Sequence, residues 1–177
     1  MRMYKSAAVF LVTLLGITLY TQTFTPTYNV YLPIIQRSNV GPIPFVTPIP
    51  NANYKVTKWY HLTPCENHGM LRLKVTVFDS AGFPLNDINV VRYTSAGDFA
   101  GNALTGDKGP GQVEFTFEGP PLGGNWHVTV EMPGTISETA WNLRTDLGDE
   151  ECEVTGELGN TFKHHSYDIE FMLEDGG

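Results

Sequence analysis

Potential metal ligands and acid–base groups stand at the start of the last strand-like stretch of the chain. His164 and His165 are adjacent, and Asp168 follows three residues later. Imidazole nitrogens and carboxylate oxygens bind transition metals, and histidine also exchanges protons near neutral pH. However, neighbouring side chains of a β-strand point to opposite faces, so the two rings cannot chelate one ion from a regular strand. We therefore expect a strand entry with one ring solvated and one partly packed, and neither a metal site nor a catalytic residue.

The other three histidines, His61, His68 and His127, are scattered along the chain. Their spacing indicates no site, but it leaves open a site that the fold would assemble. Nucleophilic chemistry also lacks a signal, because there is no G-x-S-x-G pattern and the serines stand in turn-like contexts. We expect no catalytic residue, no cofactor and no enzymatic activity.

Cys65 and Cys152 are the two cysteines of the chain. An even number of cysteines in an exported protein fits a disulfide, which here would close a loop of 152 − 65 = 87 residues. A free thiol pair or metal ligation stays as the alternative, although neither C-x-x-C spacing nor a Cys/His cluster is present. We predict a structural bridge between the two residues.

Two further groups of side chains could bind ligands. Five acids crowd residues 145–153, TDLGDEECE, where Ca²⁺ binding competes with the simpler interpretation of a solvated acidic loop. Four aromatic residues near predicted turns could contact a ligand such as a sugar, or else pack at the edge of the core: Trp59, Tyr60, Phe99 and Trp141.

The composition narrows the class of protein and of partner. Hydrophobic residues make up 41% of the 177 residues, and the 18 glycines and 12 prolines favour a β-rich domain with many turns. The net charge of −8 repels phosphate backbones, so we expect no nucleic acid partner.

Three segments follow one another along the chain. Residues 1–22 join a positive start to an uncharged apolar run, Ala7 to Tyr20, and we predict a signal peptide or an N-terminal membrane anchor helix. The run has no clear small-residue cleavage site and is short for a membrane span. Residues 23–58 carry six prolines and read as an extended spacer, and residues 59–177 read as the folded domain. The domain is thus expected to be secreted or extracellular, with membrane contact only through its N-terminal segment.

The folded domain shows the period of β-strands. Apolar residues alternate with polar ones in MLRLKVTVF (70–78), INVVRY (88–93), QVEFTF (112–117), WHVTVEM (126–132) and YDIEFML (167–173). Weaker candidates are ETAWNLRTDL (138–147), CEVTGEL (152–158) and a short strand near Ala103. Turn clusters separate these stretches, and no amphipathic helix intervenes. We predict an all-β, immunoglobulin-like β-sandwich of about seven strands.

About 60 residues of this region resemble a known family. VTVFDSAGFPLNDINVVRY (75–93) resembles the V-x-D-x-x-G-x-P-L-x-x-x-x-V opening of carboxypeptidase regulatory-like domains. TGDKGPGQVEF (105–115) and GGNWHVTV (123–130) are similar to the T-D-x-x-G-x-Y-x-F and G-x-Y-x-V-x-V stretches of that family. The extra Gly and Pro before residue 112, and the segment 137–157, depart from the pattern. The resemblance implies a transthyretin-like sandwich, related to collagen-binding B-type domains, that acts as a module for support, adhesion or ligand contact.

These observations lead to one expected function and one alternative. We expect a non-catalytic, exported or surface-attached β-sandwich module with a structural, adhesive or protein-contact role, whose partner is a protein or glycan surface. The alternative is a carbohydrate-binding module, and an accessory domain of an enzyme ranks below both.

Overall fold

The computed structural model describes residues 45–117 and 124–174. The predicted signal or anchor segment and residues 23–44 of the predicted spacer lie outside these ranges. Among the described residues, no helix has the length and apolar character that crossing a membrane requires.

The regular elements of the described residues are β-strands, apart from one short helix. In chain order the elements are β1 (Phe45–Val46), β2 (Tyr54–His61), α1 (Pro64–Asn67), β3 (Arg72–Phe78), β4 (Asn89–Thr94), β5 (Phe99–Leu104), β6 (Gln112–Thr116), β7 (Asn125–Val130), β8 (Thr139–Arg144), β9 (Glu150–Glu151), β10 (Leu158–Asn160) and β11 (Tyr167–Leu173).

Two sheets enclose one apolar core. The first has the strand order β2-β11-β3-β6, and the second has the order β1-β8-β7-β4-β5. A separate ribbon pairs β10 with β9. Buried side chains from both larger sheets belong to a single cluster, which includes Val75, Phe115 and Ile169 from the first sheet and Val90 and Val128 from the second. The chain is therefore an all-β sandwich, as the alternating pattern predicts.

Strand β11 lies at the centre of the first sheet. It runs parallel to β3 and antiparallel to β2, so that Ile169 stands between Val75 and Trp59. The alternation in this strand predicts that Tyr167, Ile169, Phe171 and Leu173 are buried together, and the prediction is confirmed for the first three. Leu173, at the end of the strand, is only partly buried against the same cluster.

Two features differ from the sequence prediction. Residues 152–157 form no strand, and only Leu158 of the predicted stretch belongs to one, as the first residue of β10. Instead the Gly156 amide donates to the Cys152 carbonyl at 2.8 Å, which closes a turn between β9 and β10. The predicted domain boundary at residue 59 also lies inside a strand, since β2 begins at Tyr54 and pairs with β11 along its length. Phe45 and Val46, assigned to the spacer, pair with β8.

Candidate functional site

The predicted disulfide is present at one end of the sandwich. Cys65 on helix α1 is bonded to Cys152, which follows β9, and their Cα atoms are 4.7 Å apart. Pro64 occupies the first turn of α1, and the Glu66 carboxylate accepts hydrogen bonds from the backbone and hydroxyl of Thr63, which begins the helix. The bridge and this cap hold α1 against the β9–β10 ribbon.

Beside the disulfide lies a layer of buried polar side chains. Asn67, Asn160, His165 and Ser166 are all fully buried. The Asn67 amide donates to the carbonyls of Met70 and His164, and the Ser166 hydroxyl donates to Met70. Burial of a polar group costs free energy unless the group is hydrogen-bonded. This end of the sandwich is therefore held by a buried hydrogen-bond network in addition to apolar packing.

Gly159 shows how tightly this network is packed. A Cβ at this position would lie 1.7 Å from the carbonyl oxygen of Pro64, and a main-chain atom cannot rotate away from it. Gly159→Ala must therefore push β10 away from α1. We expect it to lower the free energy of unfolding by about 1–3 kcal/mol, measured by urea denaturation.

The control for this substitution is Gly148→Ala, because a Cβ at Gly148 meets no atom within 4 Å. Its unfolding midpoint should stay near that of the unchanged protein. Equal midpoints for the two variants would contradict the close packing of β10 on α1.

Within the network, His61, Glu150 and His165 form what we call the histidine–glutamate triad. The Nε2 atom of His61 is 3.0 Å from Nδ1 of His165, and the ligand atoms of all three residues lie within 4.8 Å of one another. His61 ends β2, His165 stands just before β11, and Glu150 begins β9. Three elements distant in sequence thus bring together two imidazoles and one carboxylate.

Neighbouring groups fix the orientation of each member of the triad. The carbonyl of Gly148 accepts from Nε2 of His165 at 2.7 Å, so the proton of that ring is on Nε2 and the lone pair of Nδ1 faces His61. The amide of Asn160 donates to Oε2 of Glu150 at 2.7 Å. The ring of His61 stacks on Tyr167, with centroids 4.8 Å apart.

Burial keeps His61 neutral. Desolvation, followed by the neighbouring His165, lowers the pKa of His61 to about 4, and the carboxylate of Glu150 opposes this only in part. Burial also raises the pKa of Tyr167, whose hydroxyl donates to the carbonyl of Arg144. At neutral pH the triad therefore presents a neutral His61 imidazole.

The pair His164–His165 follows the sequence prediction in one respect and corrects it in another. The two rings do not share a partner: His164 is half-buried, and its Nδ1 lies 3.2 Å from the carbonyl of Phe162. The ring expected to be partly packed, His165, is instead fully buried, because it belongs to the buried polar network beside the disulfide. The sequence prediction missed its partners, His61 and Glu150.

The acidic loop is held by separate contacts. Asp146 is paired with Arg144, Asp149 accepts from the Phe162 amide at 2.6 Å, and Glu150 accepts from Asn160. Each of these three carboxylates thus has its own partner within the described part of the chain.

The four aromatic candidates divide into two pairs. Trp59 packs on the core, and the hydroxyl of Tyr60 donates to Glu66 at 2.7 Å. Trp141 and Phe99 instead lie on the outer face of the five-stranded sheet, because they pair with Phe45 and Tyr93, respectively, which share that face. Thus the second pair lies on the outer face of one sheet, whereas Tyr60 stands opposite Asp168 on the outer face of the other.

On that outer face each strand contributes one ring to what we call the aromatic row. From β1 to β5 the rings are Phe45, Trp141, His127, Tyr93 and Phe99. Centroids are 6.3 Å apart for Phe45 and Trp141, 4.3 Å for Trp141 and His127, and 6.3 Å for Tyr93 and Phe99. His127 stands directly opposite Tyr93. Since adjacent strands are about 4.8 Å apart, the row is about 19 Å long.

The rings of the row differ in exposure. Phe45 and Phe99, at its two ends, are 51% and 64% exposed, whereas His127 is buried beside Trp141. Desolvation lowers the pKa of His127, whose Nδ1 accepts from the Asn142 amide at 3.3 Å. The row therefore offers an aromatic surface with exposed ends and a packed centre.

Comparison with known proteins adds only distant structural likenesses. No protein-family model matches the chain, and no curated protein matches it. The chain is similar to the dioxygenase domain of a dioxygenase carbohydrate-binding protein fusion from Streptomyces sp. SirexAA-E, with a TM-score of 0.34 and 16% identity over 59% of this chain and 79% of that one. It is similar to 3-chlorocatechol 1,2-dioxygenase from Rhodococcus opacus 1CP, with a TM-score of 0.34 and 15% identity over 73% of this chain and 71% of that one. Likenesses at this TM-score carry no argument about activity.

Proposed function

We propose that this chain is a non-catalytic, exported β-sandwich module whose role is contact with another protein. The observation that carries the proposal is the aromatic row, in which every strand of one sheet places a ring on the outer face. Residues that only fill a core have no reason to line up on the side of a sheet that faces away from it.

The row has the physical character of a contact surface. Aromatic side chains dominate the centres of protein interfaces because they bury much apolar area while losing little conformational freedom. Here cross-strand pairing already restrains the rings, which lowers the entropy lost when a partner binds. Two exposed phenylalanines flank a packed centre, so a partner would gain most by covering the ends of the row.

Two further parts of the proposal rest on sequence and are supported by the fold. Export is supported by the N-terminal apolar segment and by the Cys65–Cys152 disulfide, since disulfides persist in oxidising compartments. Membership of the transthyretin-like, carboxypeptidase regulatory-like class is supported by the sequence patterns between residues 75 and 130, and the all-β sandwich is compatible with it.

Carbohydrate binding is the second candidate function. The ring planes of Phe45 and Trp141 are within 12° of parallel, and the exposed ring of Phe45 could stack on the apolar face of a sugar ring. The candidate ranks second because Trp141 is half-buried between two neighbours, which leaves less of its face for a sugar.

Photo-crosslinking on cells that produce the protein tests the first function. A benzophenone amino acid at position 99 should yield an adduct of defined mass with a protein, because Phe99 ends the aromatic row. The same probe at Phe83, which is 68% exposed on a turn outside the row, is the matched control and should yield none. Equal adducts at both positions, or no adduct at position 99, would overturn the proposal.

A glycan array separates the second function from the first. Binding of the unchanged protein to a glycan, lost in Trp141→Ala but kept in Phe83→Ala, would establish carbohydrate binding in place of protein contact. A blank array together with the position-99 adduct supports protein contact.

A further inference from the structure

We propose that the histidine–glutamate triad, His61, Glu150 and His165, is a binding site for a first-row divalent transition metal ion, with Zn²⁺ as the reference ion. The proposal goes beyond the contact function, because the triad lies at the disulfide-linked end of the sandwich and shares no residue with the aromatic row.

The separation of the two imidazoles matches the edge of a metal site. Zinc–nitrogen bonds of 2.0–2.1 Å in a tetrahedral arrangement place the two nitrogens about 3.3 Å apart. Nε2 of His61 and Nδ1 of His165 are 3.0 Å apart, so an ion needs them to separate by only about 0.3 Å. One ligand atom from each of the three residues lies within 4.8 Å of the other two, so the carboxylate of Glu150 has to approach by at most about 1.5 Å.

The hydrogen bonds around the triad are those that metal ligands need. A ligating histidine commonly donates its second ring N–H to a carbonyl or carboxylate, which fixes its tautomer and its direction. His165 does so through Nε2 to Gly148, and its lone pair on Nδ1 therefore points into the triad. Asn160, fully buried, holds Oε2 of Glu150 and also donates to the carbonyl of Leu62.

Metal binding requires a change of tautomer at His61. Without an ion, Nε2 of His61 carries a hydrogen and donates it to Nδ1 of His165. With an ion bound, His61 moves this hydrogen to its own Nδ1, and both facing nitrogens give lone pairs to the metal. The ion thus takes the place of the shared hydrogen.

The donor set selects the class of metal. Two imidazole nitrogens and one carboxylate suit zinc, copper, nickel or iron, whereas Ca²⁺ and Mg²⁺ require mainly oxygen ligands. His61 and Glu150 are half-buried, whereas His165 is fully buried. Three protein ligands leave a fourth coordination position. A water molecule or a side chain of a partner would complete the coordination there.

Isothermal titration of the full chain, purified without a polyhistidine tag and treated with a chelator, tests the site. Zn²⁺ should bind with a stoichiometry of one and raise the thermal midpoint, whereas Mg²⁺ should do neither. His61→Gln and Glu150→Gln should each weaken Zn²⁺ binding by at least about 10-fold, as loss of even an indirect partner of a metal does. Far-ultraviolet circular dichroism should show that both variants keep the sandwich.

His164→Gln is the matched control, because this neighbouring half-buried histidine lies outside the triad. It should bind Zn²⁺ as the unchanged protein does. Absence of stoichiometric binding, or binding that survives His61→Gln and Glu150→Gln while His164→Gln removes it, would overturn the proposal. In either case the crosslink at position 99 would be unaffected, so failure of the metal proposal would not count against the contact function.

Discussion

Phe171→Ala is expected to lower the free energy of unfolding by about 3–5 kcal/mol. Phe171 is fully buried in the central strand β11, where it pairs with Val77 on β3 and Val56 on β2. Truncation removes the transfer free energy of the ring and leaves a cavity in the core. The cavity cannot close easily, because β11 is hydrogen-bonded to β2 on one side and to β3 on the other. The measurement is urea or thermal unfolding of the purified protein.

The matched control is Met172→Ala, one residue further along the same strand. Met172 is half-buried and points to the other face of the sheet, so its truncation opens no cavity in the core. We expect a loss of about 1 kcal/mol or less. Similar losses for the two variants would mean that β11 does not separate a core face from an outer face.

The first sheet shows why alternation predicts some strands and misses others. In β3 and β11 the period of two runs unbroken, and the buried positions Leu73, Val75 and Val77 are those that the pattern indicates. In β2 the register shifts between Glu170 and Phe171 of its partner, so Val56 and Trp59, three residues apart, both face the core. A bulge of this kind breaks the period, so alternation does not mark β2, and the predicted boundary at residue 59 divides it.

Alternation also fails to predict the direction of some side chains within strands that it identifies. The sequence INVVRY predicts β4, but Arg92 shares its inward face with Val90. Its guanidinium lies 4.4 Å from the ring centroid of Phe117 and 4.8 Å from that of Trp126, and it donates to the Ala100 carbonyl. Aromatic faces accept a cation in a way that a hydrophobicity pattern cannot express.

The triad shows why the sequence pattern does not predict the candidate site. His61 and His165 are 104 residues apart and meet because β2 pairs with β11 such that His61 stands opposite Tyr167. Pattern within a strand carries no information about which strands pair or in which register. The adjacent His164 and His165 therefore do not form the site, because the partner of His165 is His61. The disulfide could be predicted because the chain has only two cysteines.

Removal of that disulfide is expected to lower the free energy of unfolding by about 4 kcal/mol. The bond joins residues 87 apart, and opening so long a loop returns a large conformational entropy to the unfolded chain. The change is made in a double variant, Cys65→Ala with Cys152→Ala, because a single replacement leaves a free thiol that pairs between molecules. Chemical denaturation of the double variant and of the unchanged protein gives the difference.

A reductant provides the internal check on this prediction. Added to the unchanged protein, it should shift the unfolding midpoint to that of the double variant, and it should leave the double variant where it is. Loss of the bond should also affect the position of Glu150. The bond ties α1 to Cys152, which follows β9, and Glu150 is the first residue of β9. Zn²⁺ titration of the folded double variant should then show weaker binding than the oxidised protein. A double variant with an unchanged midpoint would mean that α1 and the β9–β10 ribbon hold together through the buried network of Asn67 and Asn160 alone.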